Sequence, residues 1–246
     1  MTRKNFADYA IHTAFNPIYA LNGRLIAVEL LSSFLDSVQQ VTVPQDILLR
    51  QFSEQQRLQT LQKQIVIIER YHDFLQRNSI AVLLHLDGYL ARLILSSDFL
   101  RRKLRSLPAL ELALSESFPD FKAGRDNPEL RALSADFKLT LNNFGSGKAP
   151  AKAVYDNLFT RIKLDRGLLQ QLLQRDSFPS LLKTLIEQLS DHCRQFIAQG
   201  VDSVDMLEKI SSFAFSGLQG TLFPPAPERQ LMTLTEPPGV FFGGRC

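Results

Sequence analysis

Short apolar runs alternate along the chain with longer stretches in which apolar residues recur every three or four positions. The short runs have the length of buried strands, and the longer stretches have the spacing of amphipathic helices. Eight runs predict strands, at residues 14–21, 24–31, 80–86, 109–115, 137–141, 159–165, 193–198 and 213–220. Strands that alternate with helices favour a parallel sheet, and eight of them predict an α/β TIM-type (β/α)8 barrel.

The first step of this barrel is predicted to be irregular. Asn22-Gly23 separates the first two strands and is a two-residue hairpin signal. A turn this short holds no crossover helix, so we expect the first strand to be antiparallel to the second. Apolar stripes later in the chain are interpreted as the core-facing sides of helices. They comprise Leu58, Leu61, Ile65, Ile68 and Leu75, and then Leu172, Leu173, Leu182, Leu185 and Leu189.

The chain has 246 residues, 45% of them hydrophobic, which is enough for one large core. No Pro- or Gly-rich linker divides it before the irregular stretches near the C-terminus. We therefore predict a single barrel domain of residues 1–230 and an irregular C-terminal tail of residues 231–246 that lies outside the core.

Several functional classes are disfavoured by composition. No apolar run approaches the roughly 18 residues of a membrane span, and the first residues lack the apolar stretch of a secretory signal. We expect a cytoplasmic protein without membrane association. The net charge of +3 is spread along the chain, so no direct nucleic-acid binding is expected. Cys193 and Cys246 are the two cysteines; we expect no disulfide and interpret Cys193 as a packing residue.

Functional groups of such barrels lie at the C-terminal ends of the strands. Those positions hold Glu29, His85, Glu116, Lys163 and Gln219. The fifth predicted strand ends at residue 141, before a turn of sequence NNFGSG. Glu116 is interpreted as a structural residue that hydrogen-bonds the neighbouring loop.

Four short motifs resemble those of the EAL-domain cyclic-di-GMP phosphodiesterases, in the same order and from about residue 14 to about residue 225. Glu29-Leu30-Leu31 resembles the family's EAL motif, residues 142–147 its DDFGTG, residues 163–165 its KxD and residues 199–202 its EGVE. The resemblance implies an EAL-type barrel. Family members cleave a phosphodiester with two divalent cations, which carboxylates hold.

The resemblance also assigns site positions. Glu29 matches the family's first glutamate, Lys163 the lysine thought to position water, and Gln219 the glutamine of the last strand. Asp202 replaces a glutamate with a shorter carboxylate, and these four residues form a vestigial pocket. The remaining metal-ligand positions have changed: they are His85, Ala113, Asn142, Asn143 and Gln199.

Four of these changes each remove a negative charge. One ion pair at about 4 Å involves roughly 4 kcal/mol at an effective dielectric near 20, so the loss is too large for two cations to tolerate. We expect no metal, no cofactor and no catalysis. Glu29 and Lys163 are interpreted as a salt bridge, with a surviving acid–base pair as the alternative. For His85, an interior role is favoured over metal ligation.

At two positions that contact substrate in the family, this chain has a smaller side chain. The family's glutamine and arginine correspond to Asn16 and Ser33, and a serine replaces the phosphate-binding fork of an arginine poorly. Cyclic-di-GMP binding is therefore expected to be weakened or lost.

Within the family, residues 124–134 and 152–171 resemble the degenerate enterobacterial EAL proteins that act as anti-factors of the flagellar regulator FlhDC. This resemblance implies a protein partner, FlhD, and repression of flagellar gene expression and motility. Two alternatives stay open: a non-hydrolysing cyclic-di-GMP receptor and a weak cyclic-di-GMP phosphodiesterase.

Overall fold

The structure, a computed structural model, describes residues 9–36, 42–44, 52–147 and 152–242. The described residues contain ten strands, among them all eight that the sequence predicts. They are β1 (Tyr9–Tyr19), β2 (Leu25–Asp36), β3 (Thr42–Pro44), β4 (Ala81–His85), β5 (Leu110–Ser115), β6 (Lys138–Phe144), β7 (Arg161–Leu164), β8 (Gln195–Gln199), β9 (Gly217–Gln219) and β10 (Ala226–Pro227).

Eight of the strands close into a barrel. β2 and β4 to β9 pair in parallel, each with the next in the ring. β1 lies between β2 and β9 and is antiparallel to both, which completes the ring. The prediction of a barrel with an antiparallel first strand is confirmed. β3 and β10 are short additions that pair with β2 and β1 from outside the ring.

Helices cover the outside of the ring. In the described residues they are α1 (Glu54–Arg70), α2 (His72–Arg77), α3 (Gly88–Ser96), α4 (Asp98–Arg105), α5 (Pro128–Asp136), α6 (Lys152–Tyr155), α7 (Arg166–Leu173), α8 (Phe178–Ser190) and α9 (Val204–Ile210), with 3-10 helices at Phe121–Asp126, Glu228–Thr235 and Gly239–Phe241. Each predicted stripe is divided between two helices, α1 and α2 or α7 and α8. Most stripe residues are buried, as expected.

The hairpin between β1 and β2 is longer than its sequence signal predicts. The amide of Gly23 donates to the carbonyl of Ala20 at 2.9 Å, so Leu21 and Asn22 are the central residues of the turn. Gly23 follows with a φ of +80°, a left-handed conformation that glycine adopts without steric cost. The loop therefore resembles a turn followed by a glycine bulge.

The end of β6 also differs from expectation. The strand continues through Asn142 and Asn143 to Phe144 instead of ending at residue 141. Its pairing with β7 shifts register between Leu141 and Phe144, and Asn143 has a φ of +55°. An irregularity inside the strand thus replaces the predicted turn.

Two groups of apolar side chains form the core. A small cluster that includes Ile18, Ala27, Leu83, Ala113 and Ile197 fills the interior of the barrel, and a larger cluster packs the ring against its helices. Cys193 packs against the larger cluster, as expected, and burial raises the pKa of its thiol to about 11.

Part of the C-terminal segment belongs to the core. Leu231 and Leu234 are buried in the larger cluster, so the expectation that residues from 231 onward lie outside the core is wrong for these two. Tyr19 Oη donates to the carbonyl of Leu234 at 2.9 Å, and Phe241 stacks on Phe223. The domain boundary at residue 230 stays a prediction. No helix in the described residues is long and apolar enough to span a membrane.

Candidate functional site

Five polar side chains meet inside the C-terminal end of the barrel, each supplied by a different strand. We call them the Glu29 cluster: Glu29 of β2, His85 of β4, Asn142 of β6, Lys163 of β7 and Gln219 of β9. Lys163 Nζ donates to both carboxylate oxygens of Glu29, at 3.0 Å each. Gln219 Nε2 donates to Glu29 Oε2 at 2.9 Å. The predicted salt bridge is confirmed.

The ion pair lies away from solvent. Lys163 is 0% exposed and Glu29 is 5% exposed. Burial acts to raise the pKa of Glu29, but Lys163 and His85 outweigh it and hold that pKa well below its ordinary value. Glu29 is therefore an anion at neutral pH that is balanced by a neighbouring cation.

His85 and Asn142 complete the cluster. His85 Nε2 contacts Glu29 Oε1, and the amide nitrogen of Asn142 lies 2.9 Å from the same ring nitrogen. Asn142 Oδ1 is buried without a hydrogen-bond partner in the described residues. Turning the amide over would let this oxygen accept from the imidazole. His85 thus acts here as a hydrogen-bonding neighbour of Glu29.

Asn143 and Ala113 supply nothing to the cluster. Asn143 is exposed, because the irregularity in β6 turns it away from the buried side on which Asn142 lies. Ala113 is fully buried among the apolar residues of the barrel interior, and its methyl group cannot ligate a metal.

Gln199 is the last residue of β8 and Asp202 lies in the loop that follows, where Asp202 holds neighbouring segments together. Asp202 accepts hydrogen bonds from the amide and the hydroxyl of Thr221, both at 2.9 Å, and pairs with Arg166 at 2.8 Å. Partial burial acts to raise the pKa of Asp202, but Thr221 and Arg166 outweigh it and lower that pKa. Gln199 Oε1 is buried with no partner among the described residues.

The two substrate positions lie on the β1–β2 hairpin. Asn16 is paired in register with Glu29 and is half-buried. Ser33 is paired with His12, and its hydroxyl donates to the His12 carbonyl at 3.5 Å. Because Ser33 is four residues beyond Glu29 on the same strand, its backbone lies roughly 13 Å farther out. The Ser33 side chain is too short to reach back to the cluster.

The sequence matches the model of a known protein family. A model of the EAL domain matches residues 1–226. The chain belongs to the EAL domain family.

Relatives of this EAL barrel include YdiV proteins. The chain is 33% identical over 222 residues to YdiV of Escherichia coli (strain K12), which covers 90% of this chain and 94% of that relative. It is 30% identical over 222 residues to the anti-FlhC(2)FlhD(4) factor YdiV of Salmonella arizonae, with the same coverage.

Solved structures agree with the fold. The crystal structure of the EAL-like domain protein YdiV superposes with a TM-score of 0.86 at 33% identity, over 92% of this chain and 96% of that one. The complex of the PaMucR phosphodiesterase with c-di-GMP superposes with a TM-score of 0.71 at 22% identity, over 90% and 94% of the two chains. At that identity the likeness concerns the fold alone.

The donor set of this EAL barrel does not fit a pair of divalent cations. Such a pair needs several anionic oxygens, and both oxygens of Glu29 already accept hydrogen bonds. At the five changed positions where the family resemblance places ligands, this chain has three amides, one imidazole and one methyl group. In the described part of the chain, no group of three or more His, Cys, Asp or Glu side chains is arranged to hold a metal.

Glu116 has the structural role that the sequence suggested. Its carboxylate accepts from the amide of Gly145 at 3.0 Å and from the hydroxyl of Ser146 at 2.9 Å. This EAL barrel also has a second buried ion pair, between Glu111 and Arg161, which was not predicted from the sequence. The sequence does contain a signal for this pair, because Glu111 and Arg161 each lie inside an apolar run that predicts a strand.

Proposed function

We propose that this protein is a catalytically inactive EAL barrel that acts by protein contact. The proposed partner is FlhD of the FlhDC complex, and the expected outcome is repression of flagellar gene expression in the cytoplasm. Relatives named anti-FlhC(2)FlhD(4) factors match 90% of the chain, which supports this proposal.

The proposed loss of catalysis rests on the Glu29 carboxylate, because both of its oxygens already have hydrogen-bond partners within the protein. Lys163, Gln219 and His85 all bond its two oxygens. A metal ion that binds Glu29 would have to displace the buried ammonium of Lys163. The cluster contains no second carboxylate that could then pair with Lys163. The remaining vestigial residues, Asp202 and Gln219, are committed to contacts within the fold.

Incubation with cyclic-di-GMP and either Mg²⁺ or Mn²⁺ tests this loss. We expect no linear dinucleotide above the level of a control without protein. The matched variant is Glu29→Ala, which removes the carboxylate that any residual metal chemistry would need. Product from the wild type that disappears in Glu29→Ala would restore the weak phosphodiesterase.

Calorimetric titration with cyclic-di-GMP tests the receptor alternative. We expect no saturable heat, because Asn16 and Ser33 offer no cationic fork for a phosphate. The variant Ser33→Arg restores that fork and serves as the comparison. Binding by the wild type at micromolar ligand would favour a receptor over a protein that responds only to FlhD.

Co-purification with FlhD and with FlhDC, followed by a gel shift on a flagellar promoter, tests the partner. We expect a stable complex and a loss of the DNA shift as the protein is added. If no complex forms and DNA binding by FlhDC is unchanged, the partner is wrong.

Three exposed apolar side chains allow the contact surface to be located. Phe99 on α4 is 67% exposed, Tyr155 on α6 is 49% exposed, and Met232 is 57% exposed. Each is changed to Asp in turn, so each variant is a control for the other two. A specific docking face predicts that the FlhD complex is lost in one variant and kept in the others. Equal loss in all three would indicate non-specific association.

A further inference from the structure

The N-terminal end of the barrel, opposite the Glu29 cluster, contains a cavity of about 420 Å³. We call it the Arg161 cavity. Its polar lining includes Arg24, Glu111, Lys138, Arg161, Arg194 and Gln195. Arg161, Lys138 and Gln195 are the first residues of β7, β6 and β8, so the cavity lies where the parallel strands begin.

Arg161 is a buried cation that its neighbours leave partly unsatisfied. The residue is 3% exposed, and Nη2 donates to Glu111 Oε1 at 3.2 Å. The other oxygen of Glu111 accepts from Thr140 Oγ1 at 2.8 Å. Nε and Nη1 of Arg161 have no hydrogen-bond partner in the described residues. A guanidinium carries five N–H donors, so the described residues satisfy only a small part of its donor capacity and leave its charge incompletely balanced.

The rim of the cavity adds further positive charge. Arg24, Lys138 and Arg194 are exposed, and no ion pair joins any of them to an acid in the described part of the chain. The cavity therefore has four cationic side chains against the one carboxylate of Glu111. Low-dielectric walls concentrate the field of such a set on an anion inside.

Apolar side chains form much of the remaining wall. Leu75, Ile80 and Ile26 are all buried and line the cavity together with Pro108. The volume is within the range of small-molecule pockets, about 300–1,000 Å³, and exceeds what a single phosphate fills. Lys138 and Arg194 also line a wider neighbouring cleft of about 1120 Å³, so the cavity and the cleft share part of their lining.

We propose that the Arg161 cavity binds the phosphate group of a small phosphate ester about the size of a nucleoside monophosphate. Arg161 supplies a fixed positive charge at the floor, and the rim cations close on the phosphate oxygens. The organic part of the ligand packs against Leu75 and Ile80. Free phosphate shares the charged chemistry, and the experiment below separates the two sources. The cavity is remote from Glu29, so this proposal does not depend on the partner proposed above.

Calorimetric titration of the intact protein with adenosine 5′-monophosphate, inorganic phosphate and adenosine, at constant ionic strength, tests the site. We expect saturable binding of the monophosphate and none of adenosine. Tighter binding of the monophosphate than of phosphate identifies an ester ligand, whereas equal binding identifies free phosphate. The double variant Lys138→Ala/Arg194→Ala should weaken binding about tenfold or more, because each substitution removes a charge-assisted hydrogen bond.

A charge-matched control separates a built site from general attraction to a cationic protein. Lys122→Ala/Lys183→Ala removes the same charge from exposed positions outside the cavity lining. It should bind like the wild type. Three results would overturn the proposal: no saturable binding at millimolar ligand, adenosine binding as tightly as the monophosphate, or equal weakening in the two double variants.

Discussion

Lys163 and Glu29 neutralise each other inside the barrel, and both are almost fully removed from water. Charges of this kind are costly to bury, and each becomes far more costly when its partner is lost. Removing one member of the pair should therefore lower the free energy of unfolding, which can be measured.

Lys163→Met should lower the free energy of unfolding by about 3–5 kcal/mol, because it leaves the Glu29 carboxylate buried without a cation. Adding Glu29→Gln in the same chain should recover much of this loss. Urea unfolding of the single and double variants measures both effects. Lys209→Ala is the control: it breaks an exposed pair with Asp205 and should cost less than about 0.5 kcal/mol. If Lys163→Met is no worse than the control, the pair is not the balanced unit described above.

Lowering the pH should reduce the free energy of unfolding, because the Glu29 carboxylate is stabilised in its charged form in the folded protein. The folded-state pKa of Glu29 lies below its ordinary value of 4.5, so the unfolded chain takes up the proton first as the pH falls. The stability from this group is fully present above about pH 4.5 and is lost towards the folded-state pKa, by up to about 1.4 kcal/mol per pH unit.

Urea unfolding between about pH 6 and about pH 3 measures this slope. Glu29→Gln should show a shallower fall than the wild type. Asp205→Asn, which removes an exposed carboxylate, should follow the wild type. Parallel curves for Glu29→Gln and the wild type would contradict the assignment.

The sequence predicted one partner of Glu29, Lys163, but not the contacts that His85 and Gln219 make with the same carboxylate. Lys163 was placed beside Glu29 because parallel strands of a barrel end at one rim. Asn142 and Asn143 were treated alike, but the structure separates them. Their separation depends on the register shift between β6 and β7, which is set by pairing with a distant segment and leaves no local sequence signal.

At the scale of elements, the loop after β8 crosses the end of β9 at close range. The amides of Gly200 and Val201 donate to the Gln219 carbonyl at 2.7 and 3.0 Å. A Cβ atom on Gly220 would lie 2.1 Å from the Val201 carbonyl oxygen and 2.4 Å from its nitrogen. Both are backbone atoms, so the crossing cannot be relieved by turning a side chain.

Gly220→Ala should therefore lower the free energy of unfolding by about 1–3 kcal/mol, the usual range for overpacking. Chemical unfolding measures the change. Gly239→Ala is the matched control, because nothing lies within 4 Å of its added Cβ, and it should stay within about 0.5 kcal/mol of the wild type. Equal values for the two variants would mean that the crossing is looser than described.

The strands of the ring were predictable from the sequence, whereas the two short strands outside it were not. β3 and β10 have three and two residues, too few for an alternating pattern, and only their pairing with β2 and β1 defines them. The eighth predicted run started too early, at residue 213, because Phe213 and Phe215 are apolar. Phe215 is buried just before β9 begins, so hydrophobicity alone could not separate packing residues from the strand.

At the scale of the whole molecule, the C-terminal segment helps to hold the barrel shut. Leu231 and Leu234 pack in the main core, and the Tyr19 hydroxyl bonds the carbonyl of Leu234. Burial raises the pKa of Tyr19 to about 12, so the phenol remains a hydrogen-bond donor throughout the neutral range.

Leu231→Ala should cost about 2–5 kcal/mol, since Leu231 is fully buried and its truncation leaves a cavity. The neighbouring Met232 is 57% exposed, so Met232→Ala should change stability by less than about 0.5 kcal/mol. Thermal and urea unfolding of both variants provide the comparison. If Leu231→Ala leaves the free energy of unfolding unchanged, the C-terminal segment does not contribute to the stability of the barrel.

The antiparallel placement of β1 has a consequence for synthesis on the ribosome. β1 is translated well before its partners β9, which ends at residue 219, and β10, which ends at residue 227. The emerging polypeptide therefore keeps one edge of the β1–β2 hairpin unpaired until β9 and β10 have been made. Chaperones and proteases encounter that open edge during translation, so slow translation between β2 and β9 would reduce the yield of folded protein.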